Sequence, residues 1–314
     1  MRNYLVRRLL QSVVLFVLIT VITFAVIRIA PGGPAILANP NLSKSQITAL
    51  RAGLGLEDPL PVQYARWMRH VLQGELGTSF NESVPVTALI RERLPNTLLL
   101  GAAAFTVAVS CGLAFGILSA VKHNTWLDRL FSVVGVLNLS VPVFWLAIVL
   151  ILVFAVQLRW LPIDGVPDDP NASWLNHARH LVLPTLVASG FLMANVMRYT
   201  RASMLEVSSQ LYVTAARAMG NPEWRVVLKY MLKNAMLPVV TVIGLGIPQL
   251  FGGAAITETV FSWPGIGSLG IAAARTGDFP VVMGITLVVS AIVVLANLLT
   301  DLSYAWLNPR VQLK

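Results

Sequence analysis

Long stretches without a charged side chain dominate the pattern of hydrophobic and polar positions along the chain. Six intervals contain no Asp, Glu, Lys or Arg, and they cover residues 9–27, 94–121, 130–158, 181–197, 235–257 and 279–300. The hydrocarbon core of a bilayer is about 30 Å thick, and about 20 apolar residues in a helix cross it. Each interval is long enough to cross once, so the pattern predicts an all-α, polytopic membrane protein with six transmembrane helices.

The composition of the chain agrees with this class. Its 314 residues are 56% hydrophobic and 12% charged, whereas a soluble domain carries about 25% charged residues. The single cysteine, Cys111, lies in an apolar run, which excludes a disulfide framework and a cysteine-based metal site. A net charge of +9 also occurs in nucleic-acid-binding proteins, but those display it on a water-exposed surface. In a membrane protein, the distribution of this charge among the loops indicates which side of the membrane each loop occupies.

Basic residues are divided unequally between the two sides of the predicted bundle. The termini and the loops on their side carry 13 basic and four acidic residues, and the other side carries ten of each. An excess of Lys and Arg near the ends of spans marks the cytoplasmic side. We therefore predict that both termini are cytoplasmic.

This orientation predicts four regions. Residues 1–30 are the cytoplasmic N terminus and first transmembrane helix, and residues 31–93 are an extracytoplasmic loop, or small subdomain, of helical and irregular structure. Residues 94–306 are a core of five transmembrane helices with a long cytoplasmic loop at about 206–234. Residues 307–314 are a cytoplasmic tail.

The sequence lacks the phosphate-binding motif G-x-x-x-x-G-K-[ST] of ATPases, the metalloprotease motif H-E-x-x-H and the serine-hydrolase motif G-x-S-x-G. The predicted spans also lack the ionisable residues typical of ion-coupled transporters. We therefore predict a chain that is not an enzyme, binds no cofactor or metal, and is powered by another subunit. An outer metal site is an alternative reading of His177, His180, Asp164, Asp168 and Asp169, but a solvated interfacial loop is favoured.

The loop at 206–234 has the pattern of a short helix, a turn and a second helix. Gly220 is placed to end the first helix in a left-handed conformation. Asn221 then suits an N-cap, with Pro222 and Glu223 in the first turn. The second helix is predicted to have one apolar face, formed by Trp224, Val227, Leu228 and Met231, and a basic face, formed by Arg225, Lys229 and Lys233.

Two interpretations of this loop are open from composition alone. One is an interfacial helix whose basic residues lie on lipid headgroups. The other is a helix pair that docks in a groove of a cytoplasmic partner, where the small residues Ala215, Ala216 and Ala218 allow close approach.

The residues of this loop resemble a known family. Thr214-Ala-Ala-Arg-Ala-Met-Gly220 resembles the Glu-Ala-Ala-x-x-x-Gly loop of permeases from bacterial ABC importers, with Thr214 in place of Glu. Asn234-Ala-Met-Leu-Pro238 resembles the end of that loop in the dipeptide, oligopeptide and nickel branch. Further segments along the chain resemble the same branch, and most closely its first peptide permease. They are Arg7-Arg8-Leu9, Pro31-Gly-Gly-Pro34, Gly74-Glu-Leu-Gly-Thr-Ser79, Pro142-Val-Phe-Trp145, Trp160-Leu-Pro162, Arg198 to Glu206, Thr257 to Gly267, Asp301-Leu-Ser-Tyr304 and Asn308-Pro-Arg310.

The resemblance implies a type I ABC importer permease fold and a division of labour among subunits. An extracytoplasmic binding protein delivers the solute, a second and similar permease completes the path as a heterodimer, and two cytoplasmic ATPases bind ATP and Mg. The outer loop 31–93 is a candidate contact for the binding protein. The residues implied to dock in an ATPase are Thr214, Ala215, Ala216, Arg217, Met219, Gly220, Asn221, Pro222, Glu223, Trp224 and Arg225.

The translocation path is less distinct in the sequence. The polar residues within the spans are Asn138, Ser140, Asn195, Thr241 and Gln249, and they are candidates to line it. The favoured interpretation for most of them is hydrogen bonding between helices. A glycine cluster is expected to allow close helix packing (Gly244, Gly246, Gly252 and Gly253), and Ser262-Trp-Pro-Gly265 is expected to form a turn at the outer surface.

The function predicted from these features is that of the permease subunit of an ATP-driven importer for di- or oligopeptides in the bacterial inner membrane. Nickel chelates and glutathione-like solutes are alternatives within the same architecture. A stand-alone secondary transporter or a membrane enzyme is the alternative from another class.

Overall fold

The computed structural model describes residues 2–29, 55–167 and 172–307 and a few positions between 43 and 52. The motif Pro31-Gly-Gly-Pro34, the pair Asp168-Asp169 and the predicted tail after residue 307 lie outside these residues. The described part is helical: α1 Arg2–Ile29, α2 Leu60–Leu72, α3 Val86–Val121, α4 Trp126–Ser140, α5 Val143–Leu150, α6 Trp174–Ser208, α7 Leu211–Ala218, α8 Glu223–Arg225, α9 Lys233–Val260, α10 Ile266–Thr276 and α11 Phe279–Leu307. Two π-helical segments, Ile151–Gln157 and Val226–Leu232, continue α5 and join α8 to α9.

Five segments of these helices are long and apolar enough to cross a membrane: Val6–Ile29, Val86–Val121, Trp174–Ser208, Glu223–Leu250 and Phe279–Thr300. The third predicted span, 130–158, is instead a pair of helices that meet at an angle of 115°. Val141, the first of the two residues between them, is extended, with φ −85° and ψ 129°, because Pro142 disfavours a helical conformation in the residue before it. The prediction of six spans therefore holds when the bent pair counts as one crossing.

Two compact units are formed by the chain. The first comprises Met1–Thr97 and Pro264–Leu295, and the second comprises Leu98–Trp263 and Ala296–Lys314. The first unit has an apolar core in which α3 begins against α10 and α11, with Val86, Ile266 and Val281 almost fully buried. A smaller cluster joins α1 to α11 through Phe24, Ile27 and Met283.

Asp278 is the polar centre of the first unit. Its carboxylate is 2% exposed and accepts a hydrogen bond of 2.5 Å from Ser79 Oγ and backbone bonds from Phe80 (3.2 Å) and Asn81 (3.3 Å). Ser79 Oγ accepts in turn from the backbone N–H of Glu82 at 3.0 Å. The loop that contains Gly74-Glu-Leu-Gly-Thr-Ser79 is thereby fastened to the turn between α10 and α11.

Close glycine contacts hold the helices of the second unit together. A Cβ atom at Gly112 or Gly116 of α3 would lie within 3 Å of Val196 or Thr200 on α6, as is usual where small residues four apart let helices approach. On α9, a Cβ atom at Gly246 would lie 2.2 Å from Leu192 Cδ1.

The expected packing role of the glycine cluster on α9 therefore applies to only half of it. Gly246 has the contact just described, and a Cβ atom at Gly244 would lie 2.1 Å from Thr300 Cγ2. Among the residues that the structure describes, nothing lies within 4 Å of the corresponding positions at Gly252 and Gly253, so packing within this part of the chain does not explain these two glycines.

The chain turns after α9, as predicted for Ser262-Trp-Pro-Gly265, and Ser262 has φ +51°. The Trp263 side chain is buried, and the backbone of Gly165 packs so closely on it that a Cβ atom there would lie 2.8 Å from Trp263 Cα.

Replacing the buried carboxylate tests the role of Asp278. We expect Asp278→Ala to lower the free energy of unfolding by about 3 kcal/mol, because the Ser79 hydroxyl and two backbone N–H groups lose their acceptor. The control is Asp58→Ala, which removes an exposed ion pair with Arg66 and should cost about 1 kcal/mol or less. Thermal unfolding of the purified chain in detergent measures both, and equal losses would contradict the assignment.

Candidate functional site: a helical turn with an exposed apolar tip

The turn after α7 is closed by backbone hydrogen bonds. Gly220 adopts φ +78°, its N–H donates to Arg217 O at 2.9 Å, and the N–H of Asn221 reaches Ala216 O at 3.4 Å. This pair of bonds is the Schellman arrangement, which satisfies the carbonyl groups at a helix end. The left-handed conformation predicted for Gly220 is confirmed.

Asn221 does not cap the second helix as predicted. Pro222 occupies the N-cap position of α8, and the side-chain amide of Asn221 instead donates to Ala216 O at 2.9 Å. Asn221 thus adds a second bond to the end of α7. The prediction failed because an Asn beside a helix end can satisfy either the helix before it or the helix after it.

An ion pair spans the turn. Arg217 Nη2 donates to Glu223 Oε1 at 2.8 Å, and Arg217 Nε donates to Glu223 Oε2 at 3.2 Å. The hydrogen bond to Glu223 raises the pKa of Arg217 above its usual value. Both side chains are exposed, so the pair orients the turn and adds little to stability.

The base of the turn is a buried apolar cluster. Val213 and Ala216 of α7 pack with Ala120 at the end of α3, Met204 of α6 and Val226 of the π-helical segment. Ala216, one of the predicted docking residues, is fully buried and unavailable to a partner. The turn is therefore fixed to α3, to α6 and to the π-helical segment.

The π-helical segment alters the predicted faces of the second helix. Val227 and Met231 are buried as expected, but the third buried residue is Val226, and both Trp224 and Leu228 are exposed. A π-helix bonds residue i to i+5, so Val226 and Met231 share a side that a 3.6-residue period does not give them. The predicted apolar face is therefore wrong at two of its four positions.

We call α7, the turn and α8 the tip, and large apolar side chains remain exposed along it. Leu211 is 87% exposed, Met219 is 71% exposed and Trp224 is 62% exposed, and the guanidinium of Arg225 lies 5.5 Å from the Trp224 ring centre. Apolar residues gathered on an exposed tip mark a surface for a partner or for lipid. The other predicted docking residues, except the partly buried Asn221, are exposed: Thr214, Ala215, Arg217, Gly220, Pro222, Glu223 and Arg225.

A polar clamp that the sequence analysis did not identify lies beside this base. The Asp128 carboxylate, 4% exposed, accepts hydrogen bonds from Arg201 Nε at 2.7 Å and Arg201 Nη2 at 2.9 Å. It also accepts from the hydroxyl of Ser119 and from the backbone N–H of Asn124 at 3.0 Å. His123 Nδ1 lies 3.2 Å from both Asp128 and Arg201.

The clamp joins the end of α3, the start of α4 and the last third of α6. Its two charged members are 73 positions apart, so no local pattern pairs them. The feature of the sequence that could have pointed to Arg201 is its place in the family-like segment that begins at Arg198. The clamp holds together the same helix ends on which α7 packs.

Three of the five polar candidates for the path form a hydrogen bond within their own helix. Asn138, Asn195 and Thr241 each donate to the backbone carbonyl four residues earlier, at 2.9, 2.9 and 3.2 Å. These three bonds lie inside single helices and do not join one helix to another. Ser140 is exposed.

Gln249 lies in a different setting from the other candidates. It lines a cavity of about 260 Å³ between α6 and α9 in the second unit, together with Thr257, Gly246 and Gly253. Thr257 Oγ1 is buried there without a hydrogen-bond partner among the residues that the structure describes.

The two histidines considered for an outer metal site both contact backbone. His177 Nδ1 lies 3.2 Å from Ser173 O, and His180 Nδ1 lies 2.8 Å from Asn176 O. Within the described ranges, no three His, Cys, Asp or Glu residues come together as metal ligands, and Asp168 and Asp169 fall outside those ranges.

Comparison with known proteins identifies the family. Residues 112–313 match the family described as "Binding-protein-dependent transport system inner membrane component", and residues 1–101 match the family of the corresponding N-terminal region. The chain is a permease of this family. Such a permease is a non-catalytic, multi-pass inner-membrane subunit that works with ATPase and binding-protein partners, as the resemblance in the sequence implied.

Relatives of this permease match over nearly their whole length. A Brucella suis protein is 46% identical over 319 residues, covering 99% of both chains. The "Oligopeptide transport system permease protein AppB" of Bacillus subtilis is 38% identical and covers 99% of this chain and 100% of its own. The "Glutathione transport system permease protein GsiC" of Salmonella typhimurium is 38% identical, with 100% of both chains covered.

A solved structure supports the predicted fold of the permease. An inward-facing form of the MetNI methionine ABC transporter contains a chain that is 22% identical, with a TM-score of 0.56. The alignment covers 70% of this permease and 96% of that chain. The predicted ABC importer permease fold is therefore confirmed.

Opening the clamp should destabilise the permease. We expect Arg201→Ala to lower the free energy of unfolding by about 3 kcal/mol, because it leaves the buried Asp128 carboxylate without its cation. Arg198→Ala, one turn earlier on α6 at an exposed position, is the matched control and should change stability by about 0.5 kcal/mol or less. Thermal unfolding in detergent compares the variants. A loss in Arg198→Ala as large as that in Arg201→Ala would refute a specific role for the clamp.

Proposed function

We propose that the tip formed by α7, the turn and α8 docks in a cytoplasmic ATPase subunit and transmits its motion to the spans. The observation that carries this proposal is the contrast between the two sides of the turn. Val213, Ala216 and Val226 are completely buried in the base, while Leu211, Met219 and Trp224 are exposed at the tip. A surface of this kind offers apolar anchors on a rigid support, which favours a protein partner.

The base also supplies a physical route for the motion. A displacement at the tip reaches α6 through Met204 and α3 through Ala120, since both pack on α7. The Asp128–Arg201 clamp keeps α3, α4 and α6 moving together. ATP binding and release on the ATPase would then bias two arrangements of the permease, with the loaded binding protein biasing them from the other side.

The assembly that we propose contains two ATPases with bound ATP and Mg, a second and similar permease, and an extracytoplasmic binding protein. This permease itself binds no cofactor or metal. Both termini are cytoplasmic, in agreement with the excess of basic residues on that side. The same orientation places the tip in the cytoplasm and makes the loop at 31–93 the candidate contact for the binding protein.

The solute class that we propose is di- or oligopeptides, supported by the oligopeptide name of the Bacillus subtilis relative. A glutathione-like solute is the second candidate, because the Salmonella typhimurium relative carries that name at equal identity. We propose that the cavity lined by Gln249 forms part of the translocation path.

Reconstitution tests the subunit assignment. The complex is purified from native membranes through a tag on this permease and placed in liposomes. The binding protein is supplied either inside the liposomes or outside them. We expect peptide uptake that requires ATP on the tip side and the binding protein on the opposite side. Uptake by the permease alone without ATP would show that it is a stand-alone transporter.

Trp224 tests the docking surface directly. Trp224→Ala should reduce co-purification of the ATPase about tenfold or more, because a buried aromatic anchor contributes 2 kcal/mol or more at an interface. Trp174→Ala is the matched control. Trp174 is 80% exposed and begins α6, at the end of that helix away from the tip. The yield of ATPase on the tagged permease is the measurement. Loss with neither variant, or equal loss with both, would contradict docking at the tip.

Gly220 tests the shape of the turn. Gly220→Val forces a β-branched residue into φ +78°, at a cost of about 1–2 kcal/mol, although no atom of the described residues lies within 4 Å of the new Cβ. We expect uptake to fall while the fold persists, because the tip changes its angle to the base. Gly74→Val, at φ +83° with equally open surroundings, is the control for strain alone. Unchanged uptake and ATPase recovery in Gly220→Val would refute the role of the turn.

A further inference from the structure

A cavity of about 340 Å³ lies in the first unit, beside the end of α1 that is farther from the N terminus. It does not belong to the docking tip or to the candidate path. Aromatic and aliphatic side chains form most of its wall, and three ionisable residues complete it. The residues that matter for its chemistry are Arg28, Trp67, His70, Glu75, Phe80 and Phe279.

Arg28 gives the cavity a cationic pole. It lies in the last turn of α1, with its guanidinium carbon 5.3 Å from the centre of the Phe24 ring. Its Nε is buried and has no hydrogen-bond partner within the described part of the chain. A buried donor without a partner costs about 1–3 kcal/mol, so an acceptor supplied by a ligand would be favoured. The planar guanidinium matches the oxygens of a phosphate or a carboxylate.

Glu75 gives the same cavity an anionic pole. Its carboxylate lies 3.1 Å from His70 Nδ1, and both side chains are more than half exposed. A ligand with an anionic group alone would leave this carboxylate facing it. A ligand that carries an ammonium group as well as an anionic group satisfies both poles.

The position of the cavity favours a lipid over a water-soluble zwitterion. On α1, the apolar residues Val26 and Ile29 next to Arg28 are exposed, as expected of a helix surface that meets acyl chains. Phe24, Tyr64 and Trp67 form an aromatic cluster with ring centres 5.5–5.9 Å apart. Aromatic residues at the end of a transmembrane helix are typical of the headgroup level of the bilayer.

We propose that this cavity binds a phospholipid whose headgroup carries a primary ammonium, as in phosphatidylethanolamine. Its phosphodiester pairs with Arg28, its ammonium pairs with Glu75, and its acyl chains lie along the exposed side of α1. The proposal depends on α1 being a membrane span and is independent of the docking tip. Such a lipid would fill the space between α1 and α2 and fasten α1 to the first unit.

Native mass spectrometry tests the site on the delipidated complex in detergent, titrated separately with phosphatidylethanolamine and phosphatidylglycerol. We expect tighter binding of phosphatidylethanolamine to the wild type. Arg28→Gln should weaken binding of both lipids about tenfold, because a charge-assisted bond to phosphate is lost. Glu75→Gln should leave phosphatidylglycerol bound and reduce the preference for phosphatidylethanolamine about threefold, as for an exposed ion pair. Arg69→Gln, on an exposed arginine of α2 that does not line the cavity, is the control and should change neither.

Trp67 reports whether the bound lipid is in this cavity. Phospholipid brominated in its acyl chains should quench more fluorescence in the wild type than in Trp67→Phe, and Arg28→Gln should remove that difference. Lipid binding in Arg28→Gln equal to that of the wild type, or no quenching assigned to Trp67, would overturn the proposal. Displacement of the lipid by a free dipeptide at millimolar concentration would also overturn it, in favour of a site for water-soluble zwitterions. Since Glu75 is exposed, its variant tests the site even if Arg28→Gln does not fold.

Discussion

Two buried carboxylates, Asp278 and Asp128, join helix ends through hydrogen bonds that the apolar side chains of the spans cannot form. Asp278 accepts hydrogen bonds from residues about 200 positions away, and Asp128, at the start of α4, accepts them from α3, from the turn between α3 and α4, and from α6. A carboxylate can be buried only when hydrogen bonds or a cation satisfy it, and helix ends offer both. Between these ends the helices rely on glycine contacts such as those of Gly116 and Gly246. The arrangement keeps charge out of the membrane interior and still fixes which helices are neighbours.

The clamp at Asp128 also determines what the docking turn can do. A short helix such as α7 has too few residues to hold its own position, and its two buried side chains, Val213 and Ala216, anchor it to helices that the clamp has already joined. The Schellman bonds and the Arg217–Glu223 pair then set the direction of the tip. The exposed apolar residues are therefore presented on a well-anchored support, which is what the proposed docking to an ATPase requires.

The sequence allowed the spans, the position of Gly220 and the family resemblance to be predicted, because each depends on local composition or local backbone conformation. The predictions failed where two outcomes differ by a small energy or where partners are distant. Asn221 can cap α7 or α8, and only the packed structure decides between them. Because of the π-helical segment, Val226 is buried and Trp224 is exposed. The spacing of hydrophobic residues in the sequence does not indicate this change. Arg201 and Asp128 meet only after α4 and α6 pack.

The polar residues of the spans lead to a conclusion about selectivity under the proposed function. Asn138, Asn195 and Thr241 each use one donor on a carbonyl of their own helix, which leaves fewer hydrogen-bonding groups for a solute. Under that proposal, a path lined in this way binds its solute weakly, which helps release, because a site that bound a peptide tightly would hold it between the two sides. Gln249 and Thr257, whose hydroxyl has no partner among the described residues, are the exceptions, and they line one cavity. Under the same proposal, discrimination among solutes comes mainly from the binding protein, with this cavity adding a few hydrogen bonds.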